Sequence, residues 1–202
     1  MKEIYVFGKG GHAKVIIDVI EKTEGISVKG IIDKDVAENE TFLDYPVYPE
    51  LAVSTLKIKY AIVGVGSGEI RKAIMEKNSH LNFISLVHPS AQIGKDVVIE
   101  DGVVVMAGAV VNPCTILKKG SLVNTSASVD HDCEIGEYSS ISPGATLGGG
   151  VILGELVNIG LGACLIQQIQ VGVKTTIGAG SVVLKNIDPN SIAFGVPCQI
   201  QG

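Results

Sequence analysis

From Ala91 onward the aliphatic residues follow a period that belongs to neither a helix nor an ordinary strand. Counted in blocks of six from that residue, the third place is held in turn by Ile93, Ile99, Val105, Val111, Leu117, Val123, Val129 and Ile135. It is then held by Ile141, Leu147, Leu153, Ile159, Leu165, Val171, Ile177 and Val183, so that all sixteen blocks obey without a gap. First places are mostly small or β-branched, as at Ala109, Thr115, Ser121, Ala127, Cys133 and Ser139, and glycine returns at the fourth or sixth place. A helix repeats its apolar face about every 3.6 residues and a half-buried strand about every 2. Six asks for a short strand with one inward aliphatic, then a turn, then the same again. That is the hexapeptide pattern of a parallel β-helix, whose coils bury their apolar side against one another. Three blocks close one triangular coil, so residue n sits over residue n − 18, about 4.8 Å away.

Residues 1–88 keep a different rhythm. "KEIYVFG" reads as a strand ending at Gly8, and "HAKVIIDVIEK" has helical spacing through Val15, Ile16, Val19 and Ile20. "SVKGIID" and "KYAIVGVG" read as further strands, "GEIRKAIMEK" as a helix and "FISLV" as a fourth strand. Strands alternating with helices predict a small parallel, Rossmann-like sheet. "HPSA" (88–91) is then the hinge into the prism, which gives domains 1–88 and 89–202.

Composition narrows the chemistry. Of 202 residues 46% are hydrophobic but only 4% aromatic, with no Trp, which describes an aliphatic interior. A net charge of −5 argues against general binding to nucleic acid or to anionic membranes. No signal-peptide pattern is present, and no apolar run approaches the roughly 20 residues of a membrane span. Cys114, Cys133, Cys164 and Cys198 lack CxxC spacing, so free thiols in a reducing cytoplasm are expected and no metal site is.

"GKGGHA" (8–13) follows the first strand and opens a helix. Gly8, Gly10 and Ala13 fit the G-x-G-x-x-A form of a dinucleotide fingerprint, with Asp33 at the end of the second strand. Such a loop lets backbone amides and the positive helix N-terminus meet phosphate oxygens. The stretch before the repeats is too short for a second mononucleotide-binding half, so a pyrophosphate other than NAD is expected there. Asp33 either accepts from a base or ribose or caps the turn, and the loop itself has a reading as a tight turn without ligand.

Among His12, His80, His88 and His131, only His131 lies inside the repeats, so a three-histidine zinc cluster has no ligands. His131 occupies the fifth place of its block, an outward corner, and eighteen residues on is Gly149, inside Gly148–Gly150. An imidazole facing bare backbone on the next rung suits acyl transfer: the ring takes a proton from the nucleophile and a main-chain amide donates to the oxyanion. Asp132, or else Asp130, would orient the second ring nitrogen. A ring at such a corner also has a reading as a hydrogen-bonding group at an interface.

The segments "GKGGHAKVIIDVI", "IIDKD", "GSGEIRKAI", "VHPSAQIG", "NTSASVDHDCEIGEYSSISPGATLGGG" and "GVPCQI" together resemble the NeuD/PglD group of bacterial sugar acyltransferases over essentially the whole chain. The resemblance implies a nucleotide-sugar domain fused to a left-handed β-helix, assembled as a homotrimer. It implies transfer from acetyl-CoA to the 4-amino group of a UDP-4-amino-4,6-dideoxy sugar in glycan biosynthesis. His131 would be the base with Asp132 beside it, and the Gly149 amide would meet the thioester carbonyl. Asn124 matches a substrate-contacting asparagine. Gly10, Gly11 and His12 would hold the UDP phosphates, Asp33 the uridine end and Gly66 part of the substrate, with CoA along Leu161, Ala163 and Ala179. Two departures bear on the sugar: Ser140 stands where some relatives carry a second histidine, and "SG" (67–68) replaces a polar pair after Gly66. O-acetylation of a sugar or sialic acid is the alternative reaction. A trimeric scaffold with a nucleotide-sensing domain is the non-enzymatic alternative.

Overall fold

In a computed structural model, residues 1–201 are described. The chain opens with β1 (Lys2–Phe7), α1 (Gly11–Glu21) and β2 (Ile26–Asp33), continues through β3 (Thr41–Phe42), β4 (Tyr45–Pro49) and β5 (Tyr60–Val63), and ends this part with α2 (Gly68–Lys77) and β6 (Asn82–Phe83). The sheet order is β3-β4-β2-β1-β5-β6, parallel except for the β3–β4 hairpin. On one face its core is aliphatic, with Ile4, Val6, Ile31 and Ile62 packed against Ala13, Ile16 and Ile20 of α1. On the other, Tyr5, Phe7 and Phe83 pack with Met75 of α2. Ser67 caps α2, its Oγ accepting from the Ile70 amide at 3.4 Å, so that helix begins at the expected Gly68.

The remainder is a three-sided prism, the left-handed β-helix expected. A long face runs through Leu86–Val87, Val104–Val105, Leu122–Val123, Ser140–Ile141, Asn158–Ile159 and Thr176–Ile177, then the C-terminal strands. A six-stranded face runs from Gln92–Ile93 to Val182–Val183, and a five-stranded face from Val98–Ile99 to Gln170–Val171. The register steps by eighteen on every face, as in Val105↔Val123, Val111↔Val129 and Leu117↔Ile135. The step falls to sixteen only at the C-terminal end, at Val171↔Ile187 and Thr176↔Ile192.

Every sixth residue from Asp96 to Gly180 has a left-handed φ, whether glycine (Gly102, Gly120, Gly150) or not (Asp132, Tyr138, Gln168). These are the corners, and they explain why glycine favours the sixth place. The third-place aliphatics fill the interior, with Leu117, Val123, Ile135 and Ile141 fully buried. At the open lower end Ile93 is 38% exposed because no rung lies beneath it. Of the buried first-place hydroxyls, Ser139 Oγ donates to Gly154 O at 2.7 Å and accepts from Val157 N at 2.8 Å, and Thr115 Oγ1 donates to Asp130 O at 2.9 Å, whereas Ser121 Oγ has no partner among the described residues.

The predicted strand 83–87 is two strands. Phe83 ends the first sheet against Ala61, whereas Leu86–Val87 pairs with Val104–Val105 as the first rung of the prism. "HPSA" forms the first prism corner, where His88 Nδ1 accepts from the Ser90 amide at 3.0 Å. A five-residue apolar run carries no mark of where its partner changes. The β3–β4 hairpin and the 3-10 helix Glu50–Ser54 add elements that the periodicity did not indicate.

Replacing Ile135 with Ala empties a site in the middle of the aliphatic column and should cost about 2–5 kcal/mol in chemical denaturation. Ile93→Ala at the open end should cost less than half as much. Equal losses would show that the column is not the source of stability.

Candidate active site

His131 lies in the corner between Ser128–Val129 and Glu134–Ile135, on the edge joining the six- and five-stranded faces. The rungs above and below are tied to it by backbone: Gly150 N donates to His131 O at 2.9 Å and Asp132 N to Pro113 O at 3.1 Å. Gly149 stands directly over the ring. A Cβ placed there would lie 2.7 Å from His131 Cε1 and 2.8 Å from Nε2, so any side chain would displace the imidazole. Among the described residues the Gly149 amide has no acceptor, while its carbonyl accepts from Gln168 N at 2.8 Å. Asp130, His131, Asp132, Gly149, Gln167 and Gln168 line an open cleft of about 400 Å³.

The two aspartates do different things. Asp132, at φ +59° in the corner, places Oδ2 2.7 Å from His131 Nδ1. That contact favours the tautomer with the proton on Nδ1, which leaves Nε2 as the acceptor. Asp130 instead accepts from the His131 amide and from Asn112 Nδ2, both at 2.8 Å. Its carboxyl is held below the usual range, chiefly by Asn112. The Asp132 hydrogen bond first, then the Asp130 charge, raise the imidazole above its ordinary pKa of 6.5. Two residues on from His131, Cys133 is buried, its Sγ 3.3 Å from Gly148 O, and burial pushes its thiol up, so it packs rather than reacts.

The glycine loop forms a second centre, at the carboxyl ends of β1 and β5. There the chain crosses from one side of the sheet to the other, the usual ligand crevice of such sheets. Gly8 must be glycine: its φ is +102°, and a Cβ would lie 2.8 Å from Val65 Cγ2. Gly10 and Gly11 face open space, and Gly10 caps α1 without any side-chain partner, so the first amides of α1 are uncapped. His12 Nε2 is shielded from solvent and has no partner among the described residues. Burial, with help from the Arg71 charge, pushes its pKa down to about 4, so the ring is neutral at physiological pH.

Asp33 is committed to the turn. Its Oδ2 accepts from Lys9 N at 3.0 Å and its Oδ1 from Asp35 N at 3.2 Å. It also borders a mainly apolar pocket of about 230 Å³ made with Phe7, Ile32, Val65, Ile70 and Ile74, so capping and ligand contact are compatible. Lys9 Nζ reaches Glu40 Oε1 at 2.7 Å and pins the loop to the segment ahead of β3. Gly66 lines a separate cleft between the start of α2 and the long face.

One chain does not gather all the expected residues. Asn124, Leu161, Ala163 and Ala179 share the edge between the long and six-stranded faces, one edge away from His131. The first sheet packs on the long face through Val104, Met106 and Leu122, which is the face opposite the His131 edge. Arg71, Gln167 and Gln168 went unnoticed in the sequence. Arg71 is the chain's only arginine, and that singularity was its one available signal. Among the described residues no cluster of three or more His, Cys, Asp or Glu could hold a metal ion, and no helix is long and apolar enough to cross a membrane.

Comparison with known proteins agrees with this geometry. Residues 3–78 match the PglD N-terminal domain family and residues 75–175 the GMPPB C-terminal domain family. UDP-N-acetylbacillosamine N-acetyltransferase of Bacillus subtilis (strain 168) is 34% identical over 113 residues, 53% of this chain and 52% of that protein. The chain thus spans about half the length of that curated relative. A variant of perosamine N-acetyltransferase from Caulobacter crescentus, solved with CoA and GDP-perosamine, is 32% identical. It superposes with a TM-score of 0.95, covering 100% of this chain and 98% of that one. The acetyltransferase domain of PglB from Neisseria gonorrhoeae FA1090, solved with acetyl coenzyme A, is 34% identical with a TM-score of 0.90 over 99% of both chains. The sheet, the prism and these full-length likenesses together place the chain in the PglD-type family of sugar N-acetyltransferases.

Proposed function

We propose that the protein transfers the acetyl group of acetyl-CoA to the amino group of a nucleotide-linked amino sugar, with His131 as general base. The observation that carries this reading is the imidazole held by Asp132 on one side and bare Gly149 backbone on the other. Nε2 takes a proton from the sugar amine as its nitrogen attacks the thioester carbonyl. The unpaired Gly149 amide donates to the oxyanion, an arrangement worth roughly 3–4 kcal/mol where it has been measured. Collapse breaks the C–S bond, and the imidazolium returns its proton to the departing CoA thiolate. A UDP-4-amino-4,6-dideoxy sugar is the proposed acceptor, in keeping with the Bacillus relative; a GDP sugar is the competing ligand, in keeping with the Caulobacter structure. Residues 1–88 would bind the nucleotide at Gly10, Gly11, His12 and Asp33, and residues 89–202 would carry the chemistry.

The same reading needs more than one copy of the chain. The nucleotide crevice and His131 lie on opposite sides of the prism, so a nucleotide sugar held by one copy would meet the base of another. A threefold ring sets the Asn124–Leu161–Ala163–Ala179 edge of one prism against the His131 edge of the next. Apolar side chains support this: Leu161 is 60% exposed on the first edge, and Ile166 and Leu184 are exposed on the second. Four free cysteines suit a reducing cytoplasm.

His131→Ala should lower kcat by about a hundredfold or more while leaving the Kd of the nucleotide sugar unchanged; an unaltered rate would rule out the base. Because the imidazole is raised, it stays protonated to higher pH, and kcat/KM should climb with pH through a midpoint above 6.5. Asp132→Asn removes the largest cause of that shift, so the limb should move to lower pH and the plateau should fall. A limb that does not move would show that Asp132 is a bystander. Light scattering should give three times the chain mass of 21.1 kDa, and Leu161→Asp should lower both assembly and turnover; a fully active monomer would contradict the shared site.

A further inference from the structure

Arg71 is the only arginine in a chain that otherwise uses lysine for every cation, and it is 2% exposed. No carboxylate pairs with it among the described residues. Its donors go instead to oxygen atoms from two separate parts of the molecule. Nη1 donates to Gly66 O at 2.6 Å, in the loop ahead of α2. Nε donates to Gly120 O at 3.0 Å and Nη2 to Tyr138 O at 2.9 Å, two corners on successive rungs of the prism. A lysine has neither the reach in two directions nor the number of donors for this. Burial lowers the guanidinium pKa only to about 10, so it remains charged at neutral pH.

Weaker contacts run to Val65 O at 3.4 Å and Ser139 O at 3.3 Å, and the sixth is the informative one. Nη2 lies 2.9 Å from Ser140 Oγ. A guanidinium cannot accept a hydrogen bond, so Ser140 Oγ is the acceptor and its own proton must point elsewhere. No acceptor for that proton is found among the described residues. Ser140 is 8% exposed, and it lines a cleft of about 330 Å³ with Gly66, Glu69, Tyr138, Asn158 and Thr176. Ser140, Asn158 and Thr176 follow one another on successive rungs of the long face. The cleft therefore has a polar ladder on one wall, the first domain on the other, and a fixed, buried, unpaired donor between them.

We propose that Arg71 is a positioning residue that locks Ser140 as a hydrogen-bond donor toward an oxygen of the bound nucleotide sugar, making this cleft a specificity subsite. The inference rests on the acetyltransferase reading and adds to it. The acceptor oxygen belongs either to a sugar hydroxyl or to the diphosphate, and both present the same chemistry to a hydroxyl donor.

Calorimetric titration of the full-length protein with UDP- and GDP-linked 4-amino-4,6-dideoxyhexoses, and with UDP and GDP alone, tests it. Ser140→Ala should weaken binding of the preferred amino-sugar nucleotide about five- to tenfold, the range of one neutral hydrogen bond, with the KM for acetyl-CoA unchanged. A loss confined to the sugar nucleotide assigns the oxygen to the sugar; an equal loss with the free nucleotide assigns it to the diphosphate. Unaltered affinity for both ligands, or a matching loss for acetyl-CoA, overturns the proposal. Arg71→Lys should reproduce the Ser140→Ala pattern, and a folded Arg71→Lys protein with wild-type affinities would overturn the positioning role. Failure of the underlying reading looks different: the unmodified protein would then bind neither sugar nucleotide and acetylate neither.

Discussion

A corner that turns through left-handed φ at every sixth residue is the constraint on which the rest of this molecule depends. Three such corners close a lap of eighteen residues, and the parallel register keeps that lap constant from Leu86 to Val183. Constancy is what allows branched aliphatics to stack as one column, because a single inserted residue would turn the next inward side chain out to solvent. The same constancy makes a distance along the chain into a position in space. His131 and Gly149 are neighbours because they are one lap apart, and the absence of a side chain at Gly149 leaves room for the ring.

Chemistry enters where the corner departs from packing. An ordinary corner needs only a residue that can be held at left-handed φ, and in this prism glycine, serine, leucine, glutamine and lysine all serve. At the His131 corner that residue is Asp132, whose carboxylate curls back 2.7 Å from His131 Nδ1. Asp130 is kept off the ring by its bonds to Asn112 and to the His131 amide. One aspartate orients the imidazole and both raise its pKa, so the basic nitrogen faces the open cleft. The first sheet, by contrast, is joined to the prism by apolar contacts through Met106 and Leu122 and by the hydrogen bonds that Arg71 donates to Gly120, Tyr138, Ser139 and Ser140. A buried cation without a carboxylate partner is a costly joint, which suits a connection that must fix geometry as well as hold two parts together.

Much of this was legible in the residues. The hexad survives sixteen repeats because nearly every third-place side chain is buried on all sides, and such uniform selection leaves a plain periodic trace. The lap count followed from it, and with it the pairing of His131 with Gly149. The helix at Gly68–Lys77 was readable as "GEIRKAIMEK", while its Ser67 cap emerged only with the structure. Less could be read where partners change without a change in composition, as between Phe83 and Leu86. The Thr41–Pro49 hairpin was hidden because strands of two and five residues are too short to show a period. Arg71 was hidden for a different reason: its partners are mostly main-chain oxygens, which no side-chain pattern records. Nor does a repeat reveal which prism face carries the appended sheet, so the sheet's place opposite the His131 edge was not readable.

The central claim is that bare backbone at Gly149, one lap above His131, creates the acyl-transfer geometry. Single-turnover acetyl transfer by Gly149→Ala, compared with the unmodified protein at saturating acetyl-CoA and amino-sugar nucleotide, tests it most directly. An added Cβ would sit within about 3 Å of the imidazole, and pushing the ring aside by about 1 Å to relieve that contact should slow transfer about a hundredfold with the Kd of the nucleotide sugar preserved. Transfer at the unmodified rate, with the methyl group in place, would contradict the account.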